Sequence, residues 1–152
     1  MPHLVILYTG NLDRPAREGG SDMGSLCREL AQVMRAQRDE ADKPVFPTGG
    51  VRVLAYPAAH WAVADGGEAG RAAGSDGDYA FVYLNLRMAR GRSTAVQQAC
   101  GQALEACVKA HFAPQLSQGH IGVTLQIDEG PEVFDAKNSS LHPLFGGPRP
   151  KP

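Results

Sequence analysis

The feature that most limits how this chain can fold lies at its start. Residues 4–7, Leu-Val-Ile-Leu, are an unbroken apolar run with two β-branched members. Such a run predicts a strand buried on both faces, in the interior of a sheet. Pro2 precedes it, at the strand position that best tolerates a missing backbone N–H. Removal of Met1, which a small second residue permits, would leave Pro2 as a secondary amine at the end of a central strand. No side chain supplies a base of that kind. The plainer reading leaves Pro2 as an ordinary terminal residue, and the rest of the chain must separate the two.

A loop with Gly10, Pro15, Gly19 and Gly20 follows. Leu26, Leu30, Val33 and Met34 then recur at helical spacing, with Arg28, Glu29, Arg35 and Arg38 off the stripe. Ser21 or Asp22 is placed to cap this helix, which is expected to fade near Asp42, before Pro44. Pro47-Thr48-Gly49-Gly50 makes a turn. Residues 51–56 alternate as a second strand, which Pro57 is expected to end. Residues 65–78 are rich in Gly, Ala and Asp, carry no apolar period, and are expected to form a mobile loop, with Trp61 just before it packed on the body.

Residues 79–88 read as a third strand. Ala80, Val82, Leu84, Leu86 and Met88 share one face; Tyr79, Phe81, Tyr83, Asn85 and Arg87 share the other. Thr94 with Gln97 is expected as a capping box for a second helix. Its stripe is Val96, Cys100, Ala103, Leu104, Cys107 and His111 or Phe112, and Pro114 limits it. Gly101 within the stripe costs about 1 kcal/mol relative to alanine, so it is expected to mark a close packing contact. Residues 121–128 form a fourth strand. Residues 130–145 are irregular, with Val133, Phe134, Leu141, Leu144 and Phe145 as their apolar members, and residues 146–152 read as a flexible tail.

The order is β-α-β twice. A helical crossover requires its flanking strands to be parallel. The predicted class is therefore α+β, a tandem β-α-β with a four-stranded sheet and both helices on one face. The other face has no cover within the chain although its strands carry apolar residues there, so a partner surface, and hence an oligomer, is expected. The 152 residues fit a single domain over residues 1–145, in two halves of about 2–56 and 79–128.

A net charge of −1 gives no global attraction to nucleic acid or an anionic membrane, so any affinity for anions must be local. No apolar run approaches the ~20 residues of a membrane span. The short apolar start lacks a basic lead-in, and a cytoplasmic location is expected. Cys27, Cys100 and Cys107 lack metal spacing and are expected as buried free thiols. His3, His60, His111, His120 and His142 are dispersed, without the spacing of a zinc site.

Several motifs, in order and placement, resemble a known family. Met1-Pro2-His3 opens a strand, Arg52 lies within the second, and Asp78-Tyr79-Ala80-Phe81-Val82 begins the third. Gly91-Arg92-Ser93 precedes the second helix; His111-Phe112-Ala113 and Asn138-Ser139-Ser140-Leu141-His142-Pro143-Leu144-Phe145 come late. From Pro2 to Phe145 the chain resembles 5-carboxymethyl-2-hydroxymuconate isomerase. Gly-Arg-Ser after a strand and Val-Arg-Val within one are also similar to the smaller 4-oxalocrotonate tautomerases of the same superfamily. The resemblance implies a trimeric tautomerase-fold isomerase without cofactor or metal. It implies that Pro2 is the general base and that Arg52 and Arg92 bind the carboxylates of a di- or tricarboxylate substrate and polarise its oxygen. The implied reaction converts the 2-hydroxy dienol of 5-carboxymethyl-2-hydroxymuconate to its 2-oxo-3-ene isomer, in homoprotocatechuate breakdown. The chain departs from the family pattern in residues 13–23, in residues 66–77 and after Phe145, and loops near a pocket mouth alter specificity.

The residue types suit that chemistry. A base that accepts and returns a proton works best with a pKa near the working pH. Desolvation by Leu4, Val5 and Ile6 and the charges of Arg52 and Arg92 would lower that of a prolyl ammonium. Guanidinium groups stay charged and offer a planar fork of donors to a carboxylate. Two other readings stand beside this one: a tautomerase of another enol, such as a phenylpyruvate-type substrate, and a non-catalytic binding protein with a vestigial proline pocket.

Overall fold

The computed structural model describes residues 2–146. Its strands are β1 (His3–Thr9), β2 (Arg52–Ala58), β3 (Ala80–Met88) and β4 (Ile121–Glu129). The helices are α1 (Met23–Ala36), α2 (Glu68–Ala72), α3 (Thr94–His111) and α4 (Ala113–Gln118). The strands form one mixed sheet in the order β2-β1-β3-β4. β1 runs parallel to β2 and antiparallel to β3, and β3 runs parallel to β4. Each β-α-β half is thus parallel inside, and the halves join head to tail through β1 and β3. The α+β class and the tandem arrangement hold.

Strand alternation decides where the core sits. Leu4, Ile6 and Tyr8 of β1 and Ala80, Val82, Leu84, Leu86 and Met88 of β3 are buried beneath the helices. The stripes that meet them are Met23, Leu26, Leu30 and Met34 of α1 and Val96, Cys100, Leu104 and Val108 of α3, with Phe46 and Phe112 filling the ends. The opposite face differs. Leu7 (48%), Leu54 (44%) and Tyr56 (50%) are exposed there. The N-terminal strand is therefore central, as its apolar run requires, but this chain buries only one of its two faces.

Several local expectations change. Asp22 rather than Ser21 caps α1, its carboxylate accepting from Ser25 N–H at 2.9 Å. The helix stops at Ala36, not near Asp42, because Gln37 is extended and the Asp39 carboxylate organises the next turn through the N–H groups of Ala41 and Lys43. Pro57 does not end β2, which continues to Ala58. β2 is an edge strand, where a proline's missing N–H need break no ladder. Ser93, one residue before the expected Thr94, caps α3 through Val96 N–H. Pro114 limits α3 but also opens the short helix α4, since proline suits a first helical turn. At Gly101 an added Cβ would meet only Ile127 Cδ1, at 3.4 Å, an ordinary contact. Of the three free cysteines only Cys100 is fully buried. Trp61 is half exposed, its ring lying over Gly10.

Residues 65–78 are not a featureless loop. The Asp65 carboxylate accepts from Gly67, Glu68 and Ala69 N–H, at 3.0, 3.1 and 2.9 Å, and so starts α2. The Tyr79 hydroxyl accepts from Gly70 N–H at 2.8 Å. Gly67 and Gly77 pass so closely that a Cβ on Gly67 would lie 2.1 Å from Gly77 O. An ion pair from Arg14 to Asp78 and hydrogen bonds from Asn11 Nδ2 to Asp78 and to Tyr79 O tie this segment to the loop after β1. The expected tail falls almost wholly outside the described residues; Gly146, its first member, closes a helical turn at His142–Phe145.

Two imidazoles link this packing to pH. His111 Nε2 lies 2.7 Å from the Ser21 hydroxyl, and burial holds its pKa below the ordinary 6.5. His3, though exposed on the open sheet face, is moved in the same direction by partial desolvation, with the Arg52 charge adding to it. The unfolded chain therefore takes up protons on these groups at a higher pH than the folded one. Stability falls as pH drops below 6.5 and levels off only once the folded-state imidazoles titrate. We expect the thermal midpoint to fall between about pH 7 and pH 5. His111→Gln, which keeps a polar group beside Ser21, should flatten that slope in a series of thermal melts.

Candidate active site

The sheet order delivers the N-terminus to the centre of one sheet end. Pro2 is buried just before β1, between the start of β2 and the end of β3. A cleft of about 300 Å³ opens there. Pro2 forms part of its wall, with Pro47 and Gly50 from the turn before β2 and Ala89 and Arg92 from the connection after β3. Lys137 and His142, from the irregular segment after β4, complete it.

Arg92 is held by the backbone around it. Its Nη1 donates to Ala89 O and its Nη2 to Val45 O, both at 2.8 Å. The guanidinium carbon sits 5.6 Å from the centre of the fully buried Phe46 ring, within cation–π range. Gly91, at φ 106°, makes the sharp turn that sends the next side chain inward. Arg92, a site residue expected from the sequence, lines the cleft with Pro2; its supports Val45 and Phe46 carried no sequence signal.

Arg52 is placed differently. It is in register with His3, on the sheet face that the helices leave open. Its Nη1 curls back to Gly49 O at 3.0 Å and Val51 O at 2.8 Å, and the side chain does not line the Pro2 cleft. The turn at Thr48–Gly50 therefore gives Gly50 to the cleft wall and the Gly49 carbonyl to Arg52. Pro2 and Arg92 come together in this chain; Arg52 stands on the neighbouring face beside His3. Arg87, also in register with His3, adds a second cation to that row.

The two residues that sequence reading left without a role at this cleft are Lys137 and His142. His142 belongs to the late motif that begins at Asn138, and Lys137 immediately precedes it. The segment bearing them is docked at its far end: a Cβ on Gly49 would lie 3.2 Å from His142 Cα and from Phe145 Cδ2. Lys137 forms an ion pair with Asp135, which raises the lysine's pKa and lowers that of the carboxyl, chiefly through their hydrogen bond.

Other concavities lack this combination. A groove of about 620 Å³ between α3 and β4 is larger, but glutamines and surface charges rim its aliphatic floor. A cleft of about 250 Å³ lies at the opposite sheet end, beside Asn11, Asp78 and His120. Tyr8 belongs to the core; burial and its hydrogen bond to Asp13 at 2.7 Å push its hydroxyl pKa upward. Among the described residues no group of three His, Cys, Asp or Glu is placed to hold a metal ion. No helix among them is long and apolar enough to cross a membrane.

Comparison with known proteins agrees with the geometry. Residues 2–145 match the family described as 5-carboxymethyl-2-hydroxymuconate isomerase. A solved 5-carboxymethyl-2-hydroxymuconate delta-isomerase superposes with a TM-score of 0.89 at 59% identity, covering 95% of this chain and 93% of its own. A 5-carboxymethyl-2-hydroxymuconate isomerase from Deinococcus radiodurans R1 gives a TM-score of 0.75 at 32% identity, over the same 95% and 93%. The 5-carboxymethyl-2-hydroxymuconate Delta-isomerase of Escherichia coli is 26% identical over 145 residues, 95% of this chain and 99% of that protein. With a central N-terminal strand, Pro2 and Arg92 in one cleft, and this match along nearly its whole length, the chain belongs to the 5-carboxymethyl-2-hydroxymuconate isomerase family.

Proposed function

We propose that the enzyme isomerises 5-carboxymethyl-2-hydroxymuconate, in homoprotocatechuate degradation, with Pro2 as the general base. The observation that carries this reading is the burial of Pro2 in the same cleft as a rigidly held arginine. Once Met1 is removed, the Pro2 nitrogen is a secondary amine. It accepts the proton of the 2-hydroxyl. The oxygen electrons form the 2-oxo group, the double bonds shift to give the 3-ene, and the prolyl ammonium returns its proton to carbon 5. Arg92 binds a carboxylate and steadies charge on the oxygen; Arg52, one strand away, serves the other carboxylate or a neighbouring copy's cleft. None of the cleft-lining residues comes from residues 13–23 or 66–77, so those departures from the family pattern lie away from the reacting end of this chain.

The open sheet face supports an oligomer, and a trimer is the assembly proposed. Leu7, Leu54, Tyr56 and Phe81 form an apolar patch larger than isolated exposed residues would make, with Arg52 and Arg87 at one end. In a closed three-fold ring each copy sets part of this face against a different part of its neighbour's, so all three faces are covered. Light scattering of the processed protein should give three times the chain mass, and Leu54→Glu should dissociate it. A stable monomer at micromolar concentration would overturn the assembly.

The base is tested through the N-terminus. In an amide the proline nitrogen's lone pair is delocalised and cannot take a proton. Protein that retains Met1, verified by mass spectrometry, should keep its fold and lose isomerisation in an ultraviolet assay. Equal rates with and without Met1 would exclude Pro2. Inertness of the processed protein towards all 2-hydroxymuconate-type substrates would favour a non-catalytic binding role.

The arginines are tested together. Arg92→Ala should raise KM and, through the lost contact to the developing oxyanion, lower kcat by ~10²–10³-fold. Arg52→Ala should impair the same reaction, with its larger effect on KM. Unchanged kinetics in both would remove the proposed site.

A further inference from the structure

The segment after β4 has no helix or strand until its final turn, yet it reaches the end of the sheet where Pro2 lies. Contacts of His142 and Phe145 with Gly49 anchor its far end, and Lys137 and His142 both face the cleft. Lys137 is half exposed, and its ion-pair partner among the described residues, Asp135, belongs to the same segment. An ammonium has three donors, so the Asp135 pairing leaves two for a ligand. Arg92 and Lys137 are the two cleft-lining residues with an always-cationic type of side chain.

The proposed substrate has three carboxylates: two at the ends of the muconate chain and one on the carboxymethyl arm. Arg92 answers one of them within the cleft, and Arg52, outside it on the neighbouring face, is the proposed partner of another. We propose that Lys137 binds the third, and that this contact makes the cleft selective for a tricarboxylate over an unbranched dicarboxylate enol. The inference rests on the isomerase reading above and adds a specificity residue to it.

The test compares two substrates and three variants. With 5-carboxymethyl-2-hydroxymuconate, Lys137→Met should raise KM by about tenfold or more, the size of one charge-assisted hydrogen bond, with kcat near wild type. With 2-hydroxymuconate, which lacks the arm, its KM should match wild type. Lys137→Arg should restore the tricarboxylate preference. Asp135→Asn removes the ion pair but leaves the ammonium; it should leave KM for the tricarboxylate unchanged or lower it. Equal losses on both substrates, no loss on either, or an Asp135→Asn defect equal to that of Lys137→Met would overturn the proposal, the last by showing that the pair only shapes the segment. Calorimetry with tricarballylate and glutarate separates this result from the fate of the isomerase reading. If the processed enzyme turned over neither substrate but bound tricarballylate more tightly than glutarate only when Lys137 was present, the catalytic reading would fail and the carboxylate site would stand. Loss of this preference in Lys137→Met is the expected result; its persistence would overturn the site.

Discussion

Everything at the active end depends on β1 pairing on both sides. A chain terminus is ordinarily the easiest part of a fold to fray, because it has a neighbour on one side only. Here the first strand is hydrogen-bonded to β2 along one edge and β3 along the other, and its Leu4, Ile6 and Tyr8 are buried in the core. Those two ladders fix the strand that carries Pro2. They also bring the turn before β2 and the connection after β3 to either side of it, which is why Gly50 and Arg92 meet at one cleft although they are remote in sequence. Position and desolvation, the two things the proposed proline base needs, come from the same pairing.

The same sheet leaves a debt on its other face. Four strands carry bulky side chains in both directions, but only one direction has helices. The uncovered direction holds Leu7, Leu54 and Tyr56, and at its active end the row Arg52, His3 and Arg87. Assembly through this face would draw that charged row towards the neighbouring copy. Arg52 would then be judged by the assembled enzyme and not by one chain, in keeping with its position beside the cleft and not within it.

Period-based reading of the sequence recovers what apolar packing builds. The strands, α1, α3 and the tandem order follow from alternation and from stripes such as Leu26, Leu30 and Met34, because those residues are buried for the reason that makes them periodic. That Pro2 and Arg92 stand at one end of the sheet was legible because a strand start and a Gly-Arg-Ser turn are local features. What escaped was built from polar groups and long-range contacts. α2 is organised by the Asp65 carboxylate and the Tyr79 hydroxyl, neither of which leaves an apolar period. Pro57 reads as a terminator until β2 is known to be an edge. The placement of Lys137 at the cleft depends on where an irregular segment docks, through contacts at Gly49 that lie far away in sequence.

The head-to-tail joining of the two halves has a further consequence. A half-turn that exchanges β1 with β3 also exchanges β2 with β4, so each end of the sheet repeats the other's layout. The cleft at the far end accordingly has its own arginine, Arg14, on the connection after β1, and its own glycine, Gly119, ahead of β4. What it lacks is a counterpart of Pro2. The residue preceding β3 there is Tyr79, whose nitrogen is an amide in mid-chain, and Arg14 is neutralised by Asp78. A pseudo-symmetric scaffold thus gives its two clefts unequal chemistry: Pro2 and Arg92 line one, and a mid-chain amide and a paired arginine stand at the other.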